Sequence, residues 1–120
     1  MFPFLRRGPG RLTPRQARQR TSDSEAVLLD VRETPEWQAG HAPGALHLPL
    51  SRLTAGAPLP GEARDRPVIA ICRSGNRSRQ AARLLAERGV DATDVSGGMT
   101  AWARQGLPVI GTGGGSGVIA

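Results

Sequence analysis

The chain has 120 residues, 38% of them hydrophobic, with a single cysteine and a formal net charge of +6. That length allows one domain with one modest core, and one cysteine excludes an internal disulfide framework. No apolar segment approaches the roughly 20 residues that cross a bilayer, so no membrane partner is expected.

In chain order, residues 1 to 11 form an irregular Pro/Gly/Arg segment, expected to be a flexible basic arm. Its apolar part (Phe2, Phe4, Leu5) precedes the charges Arg6 and Arg7, the reverse of a signal peptide. Thr13-Pro14 offers a helix N-cap followed by proline at the first helical position. The helix so begun ends near Thr21 to Ser24. Ala26-Val27-Leu28-Leu29 is a continuous apolar run, read as a strand buried on both faces as in parallel sheets. Thr34-Pro35 repeats the cap-then-proline device, and Gly40 stops the short helix that carries Trp37. After a turn at His41-Ala42-Pro43-Gly44 comes a brief strand over Ala45 to Leu48. A helical turn near Ser51 to Leu53 and a Pro/Gly-rich loop, 55 to 67, lead to a second apolar run, Val68-Ile69-Ala70-Ile71.

That run ends at Cys72, and a helical pattern through Ala81, Leu84 and Leu85 follows, stopped by Gly89. Thr93-Asp94-Val95 is a short strand ending at Ser96-Gly97-Gly98. Met99 and Trp102 share one face of a last helix. Residues 110 to 120 are Gly-rich, without periodicity, and are expected to be disordered. Strands alternating with helices predict an α/β fold around a central parallel sheet.

Every basic residue is an arginine, and the pI is about 11.5. Arg6, Arg7, Arg11, Arg15, Arg18 and Arg20 cluster near the start, but no aromatic residues are interleaved to stack on bases. Nucleic acid is therefore not expected as a partner. The charge favours small anions instead.

Cys72-Arg73-Ser74-Gly75-Asn76-Arg77-Ser78 carries the chemistry. A loop between a strand end and a helix start leaves backbone N–H groups unpaired, and these converge on anions. The two arginines and the positive end of the helix suit a sulfur nucleophile. A free thiol also fits a reducing compartment, so a cytoplasmic site is expected.

These pieces resemble the single-domain rhodaneses, the thiosulfate sulfurtransferases, over Leu12 to Val109. The matching segments are Leu28 to Glu33, Glu36-Trp37 with Gly40 to Ala45, Pro49-Leu50, the loop from Cys72 to Ser78, Gly97 to Trp102, and Gly106 to Val109. The resemblance implies a rhodanese-like α/β domain over residues 12 to 109, with a five-stranded parallel sheet flanked by helices on both faces. It also implies a sulfur relay. The Cys72 thiolate takes the outer sulfur of thiosulfate or a similar anionic donor, and a thiophilic acceptor removes it from the persulfide. The acceptor implied is cyanide or a thiol, a thioredoxin-like protein among the thiols; no cofactor is implied.

In that scheme the backbone of residues 73 to 78 cradles the anionic sulfur. Gly75 gives the turn its freedom, Arg73 and Arg77 face the donor's sulfonate oxygens, and Ser78 offers a hydroxyl to the sulfur. Ser74 and Asn76 complete the loop. Asp30 and Arg32 are read as structural partners at a strand end. His41 is read as a turn residue bonded to backbone. His41 and His47 lack any ligand spacing that implies a metal. Trp37, Met99 and Trp102 are read as core.

Two rivals follow from the same residues. Related folds use a cysteine-arginine loop for phosphatase or arsenate reductase chemistry, but there the seven-residue loop goes with tetrahedral oxyanions; Cys72 to Arg77 is the six-residue form. The position before Cys72 is Ile71, where such phosphatases often carry histidine. The other rival is a non-enzymatic sulfur carrier or docking module, since a fold alone does not establish an activity.

Overall fold

The structure is a computed structural model and describes residues 11–120. In chain order it comprises β1 (Arg11–Leu12), α1 (Pro14–Ser22), β2 (Val27–Asp30), α2 (Thr34–Ala39), β3 (Leu46–His47), α3 (Leu50–Thr54), a 3-10 turn (Gly61–Ala63), β4 (Val68–Ile71), α4 (Asn76–Glu87), β5 (Ala92–Val95) and α5 (Gly98–Arg104). The strands form one five-stranded sheet in the order β1-β5-β4-β2-β3, and every pairing is parallel.

The continuous apolar runs are explained by burial on both faces of this sheet. Side chains alternate along a strand. Val27, Leu29, Val68 and Ala70 therefore pack on one face with Leu53 of α3 and with Ala81 and Leu85 of α4. Leu28, Ile69 and Ile71 pack on the other with Ala17 of α1 and with Met99 and Trp102 of α5. Each of the valine, leucine and isoleucine side chains contributes about 1.5–3 kcal/mol on burial. The two layers cover both faces of β4, so the strand that leads into Cys72 is held from both sides.

The helix starts follow the local chemistry. Thr13 caps α1 in a capping box with Gln16, and Pro14 takes the first turn. At α2 the N-cap is Glu33, one residue before the predicted Thr34, and its N–H donates to Glu36 Oε1 at 3.1 Å. The helix through Leu84 and Leu85 begins at Asn76, so the last three residues of the predicted loop, Asn76 to Ser78, lie in the first turn of α4. Among the described residues no helix is long and apolar enough to cross a membrane.

Three expectations need correction. The basic arm, placed over 1 to 11, lies outside the described residues except for Arg11, which forms β1 and pairs with Asp94 of β5. Two residues without an apolar run give no strand signal of their own. Trp37 is only half-buried; its indole stacks on the imidazoles of His41 (centroids 3.6 Å apart) and His47 (4.7 Å). The Gly-rich tail, expected to be disordered, is instead hydrogen-bonded: Gly117 N–H donates to the Val109 carbonyl and Val118 N–H to that of Ala39 at the end of α2. A Cβ on Gly117 would lie 2.6 Å from the Ile110 carbonyl carbon, so the glycine here permits close backbone approach.

Candidate active site

Cys72 follows the last residue of β4 and is 1% exposed. Its Sγ does not face hydrocarbon alone. It accepts the N–H of Gly75 at 3.1 Å and the N–H of Ser78, in the first turn of α4, at 3.2 Å. The S–H donates to Ser78 Oγ at 3.4 Å. The chain reaches this turn because Gly75 adopts φ +108°, in the left-handed region.

The loop is held from outside by α5. Met99 N–H donates to the Cys72 carbonyl at 2.7 Å and Thr100 N–H to the Arg73 carbonyl at 2.9 Å. A trans peptide puts C=O and the next N–H on opposite sides. Anchoring those two carbonyls on α5 therefore turns the N–H groups of Arg73 and Ser74 away from it. The N–H groups of Arg73, Ser74, Asn76 and Arg77 have no hydrogen-bond partner among the described residues. Such an array favours an anion. This approach of α5 requires Gly98, since a Cβ there would collide with the Cys72 carbonyl oxygen. Sequence reasoning placed Gly97-Gly98 at the end of a strand and in a segment matching the rhodaneses, without giving it a part in the site; the paired glycines before a helix were the available signal.

The arginines divide. Arg73 is exposed at the rim, as are Ser74 and Asn76. Arg77 is not free to face a donor: Nη1 and Nη2 donate to Glu36 Oε1 and Oε2 of α2 at 2.6 and 2.9 Å. These bonds hold the Glu36 carboxyl down at about 2 against the opposing effect of burial, and raise the Arg77 guanidinium above its ordinary value. Arg77 is thus the main departure from the expected site.

Asp30 and Arg32 are both fully buried and paired, Nη2 to Oδ2 at 2.7 Å, and Arg32 Nη2 also donates to the Gly40 carbonyl at 2.6 Å. They join the end of β2 to the end of α2 and do not touch the sulfur. The Nδ1–H of His41 donates to the Trp37 carbonyl, and the Nε2–H of His47 to that of Arg32, both at 2.8 Å; a carbonyl can only accept, which places each proton.

Two further residues complete the site, and sequence reasoning missed both. Ser78 Oγ donates to Asp94 Oδ2 at 2.7 Å, and Asp94 is gripped by Arg11 through Nε to Oδ1 and Nη2 to Oδ2, each 3.0 Å. Arg11 Nη2 also donates to the Gly75 carbonyl at 2.9 Å. A buried sulfur accepting two backbone N–H bonds, at the carboxyl end of a parallel sheet, defines the class: a parallel α/β fold with a cysteine loop at the end of its central strand.

Comparison with known proteins narrows the class. The rhodanese-like domain model matches residues 13–105. A rhodanese-related protein of Thermoplasma volcanium is similar at 28% identity and a TM-score of 0.71, over 82% of this chain and 95% of that one. A rhodanese homologue of Thermus thermophilus is 26% identical with a TM-score of 0.62, over 76% and 98%. A protein of unknown function from Rhodopseudomonas palustris, described as a possible tyrosine phosphatase, is 26% identical with a TM-score of 0.68, over 82% of each chain. This chain belongs to the rhodanese-like domain family.

Proposed function

We propose that the protein is a sulfurtransferase acting through a persulfide on Cys72. The observation that carries this reading is the pair of N–H groups, from Gly75 and Ser78, aimed at the one free thiol. Cys72 Sγ, as thiolate, attacks the outer sulfur of a donor such as thiosulfate. The new S–S bond forms as the old one breaks, and the electron pair leaves with sulfite. Cyanide or an acceptor thiolate then attacks the outer sulfur, and Cys72 departs as thiolate. One difficult transfer becomes two easier ones.

The unpaired N–H groups of residues 73, 74, 76 and 77 support the outer sulfur's charge at little reorganisation cost. Arg73 at the rim is the arginine left to meet an anionic donor. Arg77, tied to Glu36, serves the loop's shape first. A reducing cytoplasmic setting suits a chemistry that needs the thiol unoxidised. The phosphatase reading asks Arg77 to hold a phosphate, and its commitment to Glu36 weighs against that.

The test is intact-protein mass spectrometry after thiosulfate treatment. One added sulfur, removable by cyanide or a thiol and absent in Cys72→Ser, is the expected result. An unmodified protein with hydrolysis of an aryl phosphate in a parallel assay would overturn the reading.

A further inference from the structure

The line from Cys72 Sγ through Ser78 Oγ to Asp94 contains fewer protons than acceptors. Ser78 has one hydroxyl proton, and an ionised carboxylate can only accept. The 2.7 Å contact with Asp94 therefore commits that proton to the carboxylate, leaving Oγ as an acceptor toward the sulfur. A thiol is fully matched by this arrangement, giving one hydrogen bond and receiving two. A thiolate is not, because it would face oxygen lone pairs.

We propose that Asp94, clamped by Arg11, is a positioning residue that competes with the Cys72 sulfur for the Ser78 hydroxyl proton. The hydroxyl serves the carboxylate while the sulfur is a thiol and turns to the sulfur when it becomes an anion. Only the hydroxyl hydrogen rotates; no heavy atom moves. Asp94 is not orphaned by the turn, since both its oxygens keep a donor on Arg11. Arg11 also ties this pair to the Gly75 carbonyl, in the same loop that cradles the sulfur.

Among the described residues, the other charged groups around the sulfur make no hydrogen bond to it. Arg77 on α4 is paired with Glu36 of α2, Arg32 with Asp30 at the end of β2, and Arg73 projects at the exposed rim. Asp94 at 2% exposure is the buried anion linked to the sulfur through one oxygen. Its expected effect is on how readily the free thiol reacts. What the sulfur then does rests on the sulfurtransferase reading, but the competition itself is read without any sulfur donor.

The experiment is the rate of alkylation of Cys72 by iodoacetamide in the full chain, from about pH 5 to about pH 9, where a thiolate's fraction sets the rate. Asp94→Asn is expected to move the profile to lower pH, with alkylation about tenfold faster near the acid end, as one decade per pH unit requires. Arg11→Met, which strengthens the carboxylate's hold on the hydroxyl, is expected to move it the other way. In a Ser78→Ala background both displacements should shrink to within about twofold, the signature of residues that share one partner. No displacement by either substitution overturns the proposal. Equal displacement with and without the Ser78 hydroxyl also overturns it, assigning the effect to charge alone. Should Asp94→Asn fail to fold, the Arg11→Met comparison, with and without Ser78→Ala, decides on the same criteria.

Discussion

Glu36 on α2 holds Arg77 on α4 in a two-pronged ion pair, with Oε1 2.6 Å from Nη1 and Oε2 2.9 Å from Nη2. The arginine whose place in the loop suggests donor binding is thereby neutralised by a neighbour. Glu36→Gln removes that charge and frees the guanidinium. Under the sulfurtransferase reading, KM for thiosulfate should fall about three- to tenfold with kcat little changed, the pattern of altered ground-state binding. Steady-state kinetics check this. An unchanged KM would mean that Arg77 does not reach the donor.

The same pair gives a pH signature. The folded-state carboxyl sits at about 2, below its ordinary 4.5, so its contribution is fully present above 4.5 and is lost as pH falls toward 2. The side chains are 34% and 22% exposed, and solvent screening limits the pair to about 1 kcal/mol. Urea unfolding should show wild type more stable than Glu36→Gln at neutral pH. The gap should close at the acid end of the window, and a gap independent of pH would rule out the linkage.

Gly98→Ala tests the support of the loop by α5. Its φ is +57°, and a Cβ would strike the Cys72 carbonyl oxygen and approach the Arg73 carbonyl carbon at 2.6 Å. The bonds from Met99 and Thr100 must then lengthen. A loss of about 1–3 kcal/mol is expected from strain of this kind, with sulfur loading of Cys72 reduced more than tenfold in mass spectrometry because the N–H array is no longer aligned. Wild-type loading would show that the anchoring is dispensable.

Arg32→Met leaves Asp30 as a fully buried carboxylate without its main partner. Breaking one side of a buried pair costs about 3–5 kcal/mol, and chemical denaturation should show that loss. Asp30→Asn with Arg32→Met together should recover part of it, since no lone buried charge remains. A single variant as stable as wild type would contradict the structural role given to this pair.

Much of the architecture could be read from local pattern. The apolar runs ending at Leu29 and Ile71 marked β2 and β4, because strands buried on both faces need no polar alternation. Thr13-Pro14 marked the start of α1, since capping chemistry lies within one turn. The spacing from Cys72 to Ser78 marked the loop, of which Gly75 and Ser78 hydrogen-bond the sulfur. The resemblance to rhodaneses supplied the five parallel strands, although β1 itself carried no local signal.

Pairings between distant residues were another matter. Arg11 meets Asp94 because β1 and β5 align in register, with those two residues opposite each other, across 83 positions of chain. Arg77 meets Glu36 across 41 positions because the fold brings the first turn of α4 beside α2. Local spacing selects backbone conformation, whereas a buried hydroxyl, carboxylate or guanidinium takes whichever partner packing brings within 3 Å. The tail shows this too: glycines that read as freedom in one dimension become the places where two backbones touch in three.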